Sequence, residues 1–180
     1  MENNIFFVHL FRFYSKCLGF PYLELGLELQ HLFRQMEIAA QNELDDQLAA
    51  HCLDILNNFQ GQEMSALQAE YARMFSHVEG EDAPLSINFL DYGNPVHADA
   101  ILEEIYESLM DVTFDESPDS LINFLDYFSY LSETGGITEK LPDFVDIIRP
   151  FSQKLFAISG IYFYKETARG LVELCDIFAE

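Results

Sequence analysis

Tryptophan is absent from this sequence, and basic residues are scarce. Of 180 residues only 9 are Lys or Arg, against 31 Asp or Glu, so the formal net charge is -22. A charge of this size repels the phosphate backbone of nucleic acids and the surface of anionic lipids, which excludes both as nonspecific partners. We therefore expect a neutral or basic partner, and large aromatic anchors in any binding site have to be Tyr or Phe.

Cysteine and long apolar runs are also in short supply. Cys17, Cys52 and Cys175 lie far apart and form no C-x-x-C pair, so they suggest neither a zinc site nor a redox motif, and we expect buried, reduced thiols. The first residues contain no basic n-region, and Arg12 interrupts the apolar run that follows, which argues against a secretory signal. No charge-free stretch approaches the roughly 18 apolar residues that span a bilayer. These absences predict a cytoplasmic protein without stable membrane insertion.

What the chain does contain is enough apolar material for one core. Its length and a hydrophobic content of 49% predict a single domain over residues 1–180. Apolar residues recur three and four positions apart, which is the helical period, so we predict an all-α bundle of about eight helices. The expected helices cover about residues 5–17, 22–40, 43–59, 63–76 and 96–110, one that opens at 117–119 and ends before 135–136, one that begins near 142, and 161–178.

Two of these predicted helices carry specific local signals. Ser117 is expected to cap the sixth helix, with Pro118 as its first residue and Asp119 in its first turn, where an acid interacts favourably with the helix dipole. Pro150 is expected to kink or restart the seventh helix, because its ring removes one hydrogen bond from the ladder.

The middle of the chain combines negative charge with an apolar loop. Residues 71–139 hold 15 acids and only one base, Arg73. Within them, residues 77–95 contain Gly and Pro and yet carry several large apolar side chains, and loops this long are often functional. We interpret this region as a groove for a basic, amphipathic peptide. The alternative is a solvated acidic face that keeps the protein in solution.

Two motifs in this region resemble those of a known family. The segment 70–75, Glu-Tyr-Ala-Arg-Met-Phe, resembles the Y-x-x-L-F element of the TorD/DmsD/NarJ chaperones for molybdenum-containing redox enzymes, with Met74 in the Leu position. The segment 116–121, Glu-Ser-Pro-Asp-Ser-Leu, resembles their E-x-P-D-H-L motif, with Ser120 in place of His. Ser120 forms hydrogen bonds but does not titrate near neutral pH, so a pH-linked release of ligand is not expected.

The resemblance implies a TorD-like fold and a cytoplasmic chaperone that catalyses no reaction and needs no cofactor. Such a protein binds the N-terminal segment of the catalytic subunit of a molybdopterin oxidoreductase, often a twin-arginine signal peptide, until the cofactor is inserted and before export or assembly. Apolar burial would give affinity and carboxylates would select the guanidinium groups. The expected recognition residues are Tyr71, Phe75, Pro84, Leu85, Glu116, Asp119, Ser120 and Asp126.

Other interpretations of the same residues stay open. Tyr71 and Phe75 also fit core positions, since large apolar residues at helical spacing usually face inward. Glu28 and His31 form one Glu-x-x-His pair, but a di-iron bundle needs a second such pair and two further Glu, so we predict no metal site and no enzyme. An acidic helical adaptor that binds an unrelated protein is the second functional class. The chain is expected to be a monomer or a dimer that exchanges helices at the hinge 135–136.

Overall fold

The computed structural model describes residues 4–76, 82–108 and 117–179. These residues form eight α-helices and two short 3-10 helices, Phe89–Asp91 and Ile137–Lys140, and contain no strand, so the predicted all-α bundle is confirmed. None of the helices in the described ranges has the length and apolar character needed to cross a membrane. The α-helices are α1 (Ile5–Leu18), α2 (Leu25–Ala39), α3 (Glu43–Gln60), α4 (Met64–Phe75), α5 (Pro95–Glu107), α6 (Leu121–Thr134), α7 (Leu141–Ile158) and α8 (Tyr162–Ala179).

Phenylalanine fills the centre of the bundle. The Phe11 ring on α1 lies 5.7 Å from that of Phe128 on α6 and 5.4 Å from that of Phe144 on α7. Phe144 also contacts Phe178 on α8, with ring centroids 5.4 Å apart. Tilted and edge-to-face pairs of this kind add a favourable contribution to the burial of the rings themselves. The first and last helices are therefore joined through one aromatic cluster.

The start of α6 differs from the sequence-based expectation. The N-cap residue is Ser120, whose side-chain oxygen accepts a hydrogen bond from the Asn123 backbone at 3.2 Å. Ser117 instead begins a turn that is closed by a bond of 2.8 Å from the Ser120 amide to the Ser117 carbonyl. The prediction that Ser117 caps the helix is therefore wrong. Asp119 precedes the helix and does not lie in its first turn.

The seventh helix does not stop and restart at Pro150, which was one of the two expected effects of this proline. α7 passes through Pro150 without interruption. Although proline removes one N–H donor from the ladder, apolar residues on both sides of it are buried, including Ile147, Ile148 and Phe151. This burial stabilises a single helix, and the alternative of two shorter helices is wrong.

All three cysteines are buried and form no disulfide. Cys17 lies on α1, Cys52 on α3 and Cys175 on α8. Burial raises the pKa of all three thiols, that of Cys175 to about 12. The expectation that the cysteines are buried is confirmed.

Candidate functional site

Residues from both motifs meet at one cavity of about 600 Å³, which we call the acidic cavity. It lies among the C-terminal end of α4, the loop that follows residue 81 and the turn before α6. Three carboxylates line it, and no Lys or Arg is present among its described lining residues. These are Phe75, Asp82, Ala83, Leu85, Ser86, Ile87, Asn88, Asp91, Ser117, Asp119 and Ser120.

Backbone pairing holds the loop against the start of α6. Asn88 and Ser120 form an isolated antiparallel bridge. The Leu121 amide donates to the Ile87 carbonyl at 2.7 Å, and the Phe89 amide donates to the Asp119 carbonyl at 2.9 Å. This pairing accompanies the extended backbone of Ser120, which is the physical reason that the helix begins later than its sequence signals predict.

A further backbone bond joins the loop to α4. The Leu85 amide donates to the Met74 carbonyl at 3.0 Å, and the Leu85 side chain is buried. The neighbouring Phe75 ring is half-buried and lines the acidic cavity. The cavity lining therefore combines the apolar side chains of Phe75 and Leu85 with the carboxylate of Asp119.

The Asp119 carboxylate is half-buried and held in place by two side chains. The Asn88 side-chain amide donates to Oδ2 at 2.6 Å, and the Ser117 hydroxyl donates to Oδ1. A carboxylate oxygen can accept more than one hydrogen bond, so Asp119 can still accept hydrogen bonds from a ligand. A pre-oriented carboxylate of this kind suits a guanidinium group, which donates two parallel bonds.

Asn88 is a site residue that the sequence-based analysis missed. Besides its bond to Asp119, its side-chain oxygen accepts from the Leu90 amide at 2.8 Å and so caps the short helix Phe89–Asp91. An Asn that caps a turn is a recognisable local signal. Its partner Asp119 is 31 residues away, and no local pattern identifies that contact.

Tyr71 and Pro84 lie beside the acidic cavity without lining it. The Tyr71 ring is half-buried and its centroid lies 4.7 Å from that of Phe75. Pro84 is exposed and lies between two lining residues, Ala83 and Leu85. Glu116 falls outside the described residues. Of the eight predicted recognition residues, four line the cavity: Phe75, Leu85, Asp119 and Ser120.

Asp126 is separated from this group. It lines a different cavity of about 690 Å³ between α1, α2 and α6, which we call the mixed-charge cavity. Asp126 follows Ser120 by six positions, which at 3.6 residues per turn places it roughly 240° around the helix axis. Its assignment to the same surface as Asp119 is therefore wrong. The lining residues are Arg12, Lys16, Glu24, Leu27, Glu28, His31, Leu32, Asp126, Tyr130 and Glu133.

Burial raises the pKa of Asp126, although a hydrogen bond from Ser15 and the charges of Lys16 and Arg12 lower it in part. The folded protein therefore holds the Asp126 proton to higher pH than the unfolded chain does. Ionised Asp126 costs stability at neutral pH, and this cost disappears as the pH falls through the folded pKa towards the ordinary value of about 3.9.

We expect Asp126→Asn to raise the free energy of unfolding at pH 7, with a gain that shrinks towards zero near pH 3. Urea unfolding at several pH values measures this difference. Asp54→Asn, at an exposed position of α3, is the matched control and is expected to show no such trend. An equal gain at both pH values would contradict a role for the Asp126 charge.

The Glu28 and His31 pair lies at the mixed-charge cavity, but Glu28 is already engaged by Lys16 at 2.9 Å. Within the described ranges, no group of three or more His, Cys, Asp or Glu side chains is arranged to hold a metal ion. At the acidic cavity, three carboxylates and the apolar side chains Phe75 and Leu85 have a chemistry that suits a cationic, partly apolar ligand.

Comparison with known proteins adds no further information about this site. No protein-family model matches the sequence, and no curated protein matches it. The resemblance to the TorD/DmsD/NarJ chaperones depends on the two motifs and on the general pattern of the chain.

Proposed function

We propose that the protein is a chaperone that binds the basic N-terminal peptide, such as a twin-arginine signal peptide, of a molybdenum-cofactor oxidoreductase subunit. It holds this peptide in the cytoplasm during cofactor insertion, before export or assembly, and catalyses no reaction. The observation that carries the proposal is the acidic cavity, where residues of both family-like motifs meet around three carboxylates.

The chemistry of the acidic cavity suits a peptide with an arginine pair beside apolar residues. Asp82, Asp91 and Asp119 provide negative charge, and Phe75 and Leu85 provide an apolar wall. A charge pair at about 4 Å is worth roughly 1 kcal/mol in water and up to about 4 kcal/mol near a protein surface, before desolvation is subtracted. Apolar burial therefore supplies much of the affinity, and the carboxylates select cationic peptides.

Calorimetric titration with a synthetic twin-arginine peptide tests the proposal. We expect Asp119→Asn to weaken binding about fivefold, because the amide carries no charge and has one acceptor atom in place of two. The melting temperature should change little, since the Asn side chain can still accept the bond from Asn88. Binding to the parent protein should also weaken as salt shortens the Debye length below about 10 Å.

A peptide in which Gln replaces both arginines is the control, and it should bind weakly and without salt dependence. Equal binding of the two peptides would remove the support for selection by charge. That result would favour the other functional class, an acidic helical adaptor for an unrelated protein partner.

A further inference from the structure

The mixed-charge cavity contains two of the three Lys and Arg residues that occur in the first 70 positions of this acidic chain. These two bases, Arg12 and Lys16, are four residues apart on α1 and therefore lie on the same side of that helix. α6 contributes Asp126 and Tyr130, which are also four residues apart. Charges of both signs and a phenol ring thus line one cavity of about 690 Å³, a size typical of small-molecule sites.

The two bases of the cavity differ in their partners. The Lys16 ammonium lies 2.9 Å from the Glu28 carboxylate. The Arg12 guanidinium forms no ion pair or hydrogen bond within the part of the chain that the structure describes, and its charge acts on Asp126 from beyond contact distance. A guanidinium with free donors binds a carboxylate through two parallel hydrogen bonds. Arg12 is therefore available to an anionic group of a ligand.

Asp126 supplies the opposite charge. Its carboxylate is half-buried and accepts a hydrogen bond from Ser15, which is buried on α1. Burial makes the ionised form unfavourable in the folded protein. A carboxylate held in this state at a cavity is a feature of functional sites, because the opposite charge of a ligand compensates for its burial. The exposed Glu133 adds a second carboxylate to the same lining, so this side of the cavity suits an ammonium group.

We propose that the mixed-charge cavity binds an amino acid with an apolar side chain, whose carboxylate contacts Arg12 and whose ammonium group contacts Asp126. A ligand with only a carboxylate would be repelled by the acids of the lining, and a ligand with only an ammonium group would leave Arg12 without a partner. Leu27, Leu32 and Tyr130 provide apolar surface for the side chain of the ligand. This site is separate from the acidic cavity, and the proposal does not depend on the proposed function.

Calorimetric titration with three related small molecules tests the proposal. Phenylalanine carries both charges. Hydrocinnamate has the same ring and carboxylate but no ammonium group, and phenethylamine has the same ring and ammonium group but no carboxylate. We expect phenylalanine to bind about tenfold more tightly than either analogue, because each analogue lacks one of the two charge-assisted contacts.

Two variants locate the binding site. Arg12→Gln and Asp126→Asn should each weaken phenylalanine binding about tenfold, because each removes one charge and keeps a polar side chain. Phenethylamine has no carboxylate, so Arg12→Gln should not weaken its binding. Arg34→Gln is the matched control for loss of a positive charge, since Arg34 is exposed on α2 and does not line the cavity. It should leave the affinity for phenylalanine unchanged.

Each remaining outcome would overturn the proposal. Equal affinities for phenylalanine and phenethylamine would make the cavity a site for cations alone. Failure of the parent protein to bind phenylalanine, or binding that neither Arg12→Gln nor Asp126→Asn changes, would remove the amino acid from this cavity. Displacement of phenylalanine by the twin-arginine peptide would show that the cavity belongs to the peptide site and is not a separate one.

Discussion

Replacing Gly170 with Ala is expected to destabilise the protein by about 3 kcal/mol. In α8 the backbone at Gly170 lies directly against Tyr14 of α1 and His51 of α3. A methyl group there would overlap the Tyr14 hydroxyl oxygen and lie 2.6 Å from His51 Cδ2. Tyr14 is fully buried and has little room to move. For a chain of this size the melting temperature should fall by roughly 6–12 °C, as measured by circular dichroism or calorimetry.

The Tyr14→Phe background separates steric overlap from other causes. Apart from the Cys52 thiol beside it, the Tyr14 hydroxyl has no hydrogen-bond partner among the described residues, so its removal alone should cost little. The Gly170→Ala and Tyr14→Phe double variant should recover part of the lost stability, with the His51 contact responsible for the rest. Helix propensity by itself favours Ala over Gly by about 1 kcal/mol, so an unchanged or raised melting temperature would contradict the close approach of the three helices.

The largest effect on peptide binding is expected when all three carboxylates of the acidic cavity are neutralised together. The variant Asp82→Asn, Asp91→Asn, Asp119→Asn should bind the twin-arginine peptide about 100-fold more weakly, as three losses of about fivefold each predict. The salt dependence of binding should also become weaker, because no charge remains on the described cavity lining to be screened. Titration calorimetry at low and high salt measures both effects, and circular dichroism verifies that the variant is folded.

A control variant separates local charge from net charge. Neutralising Glu37, Asp46 and Asp54, which are exposed on α2 and α3, removes the same number of charges outside the acidic cavity. Peptide affinity should then fall much less than in the cavity variant. Similar losses in the two variants would show that binding responds to the overall charge of -22 and not to a specific site.

Local sequence signals predict the helices and many of their ends. α6 ends directly before Gly135, whose φ of +86° is a left-handed conformation that glycine adopts without strain. The beginning of the same helix was predicted three residues too early. The signals at Ser117 and Pro118 are local, and they are overridden by pairing of residues 119–121 with a loop about thirty positions earlier in the chain. Contacts between residues this far apart in the sequence leave no periodic pattern from which they could be predicted.

In the candidate site, too, some features follow from the local sequence and others depend on how distant parts of the chain pack. Phe75, Asp119 and Ser120 of the two motifs and Leu85 of the apolar loop lie at one cavity, as the recognition surface predicted from the sequence requires. Asp126 was predicted to belong to the same surface, yet the phase of α6 turns it towards α1 and α2. Which face of a helix a residue occupies depends on where neighbouring helices pack, and α6 is buried on so many sides that its apolar pattern does not mark one face. The binding role of all these residues remains a prediction.

The reaction rates of the three buried cysteines with an alkylating reagent can be used to measure local opening of the helical bundle. Thiolates, and not thiols, react with alkylating reagents, and burial both blocks access to the sulfur atoms and raises their pKa. Because Cys17, Cys52 and Cys175 belong to α1, α3 and α8, a reagent reaches each of them only when its helix separates from the rest. The natural sequence therefore contains three labelling positions that report on local opening at both ends of the chain, with no engineered probe.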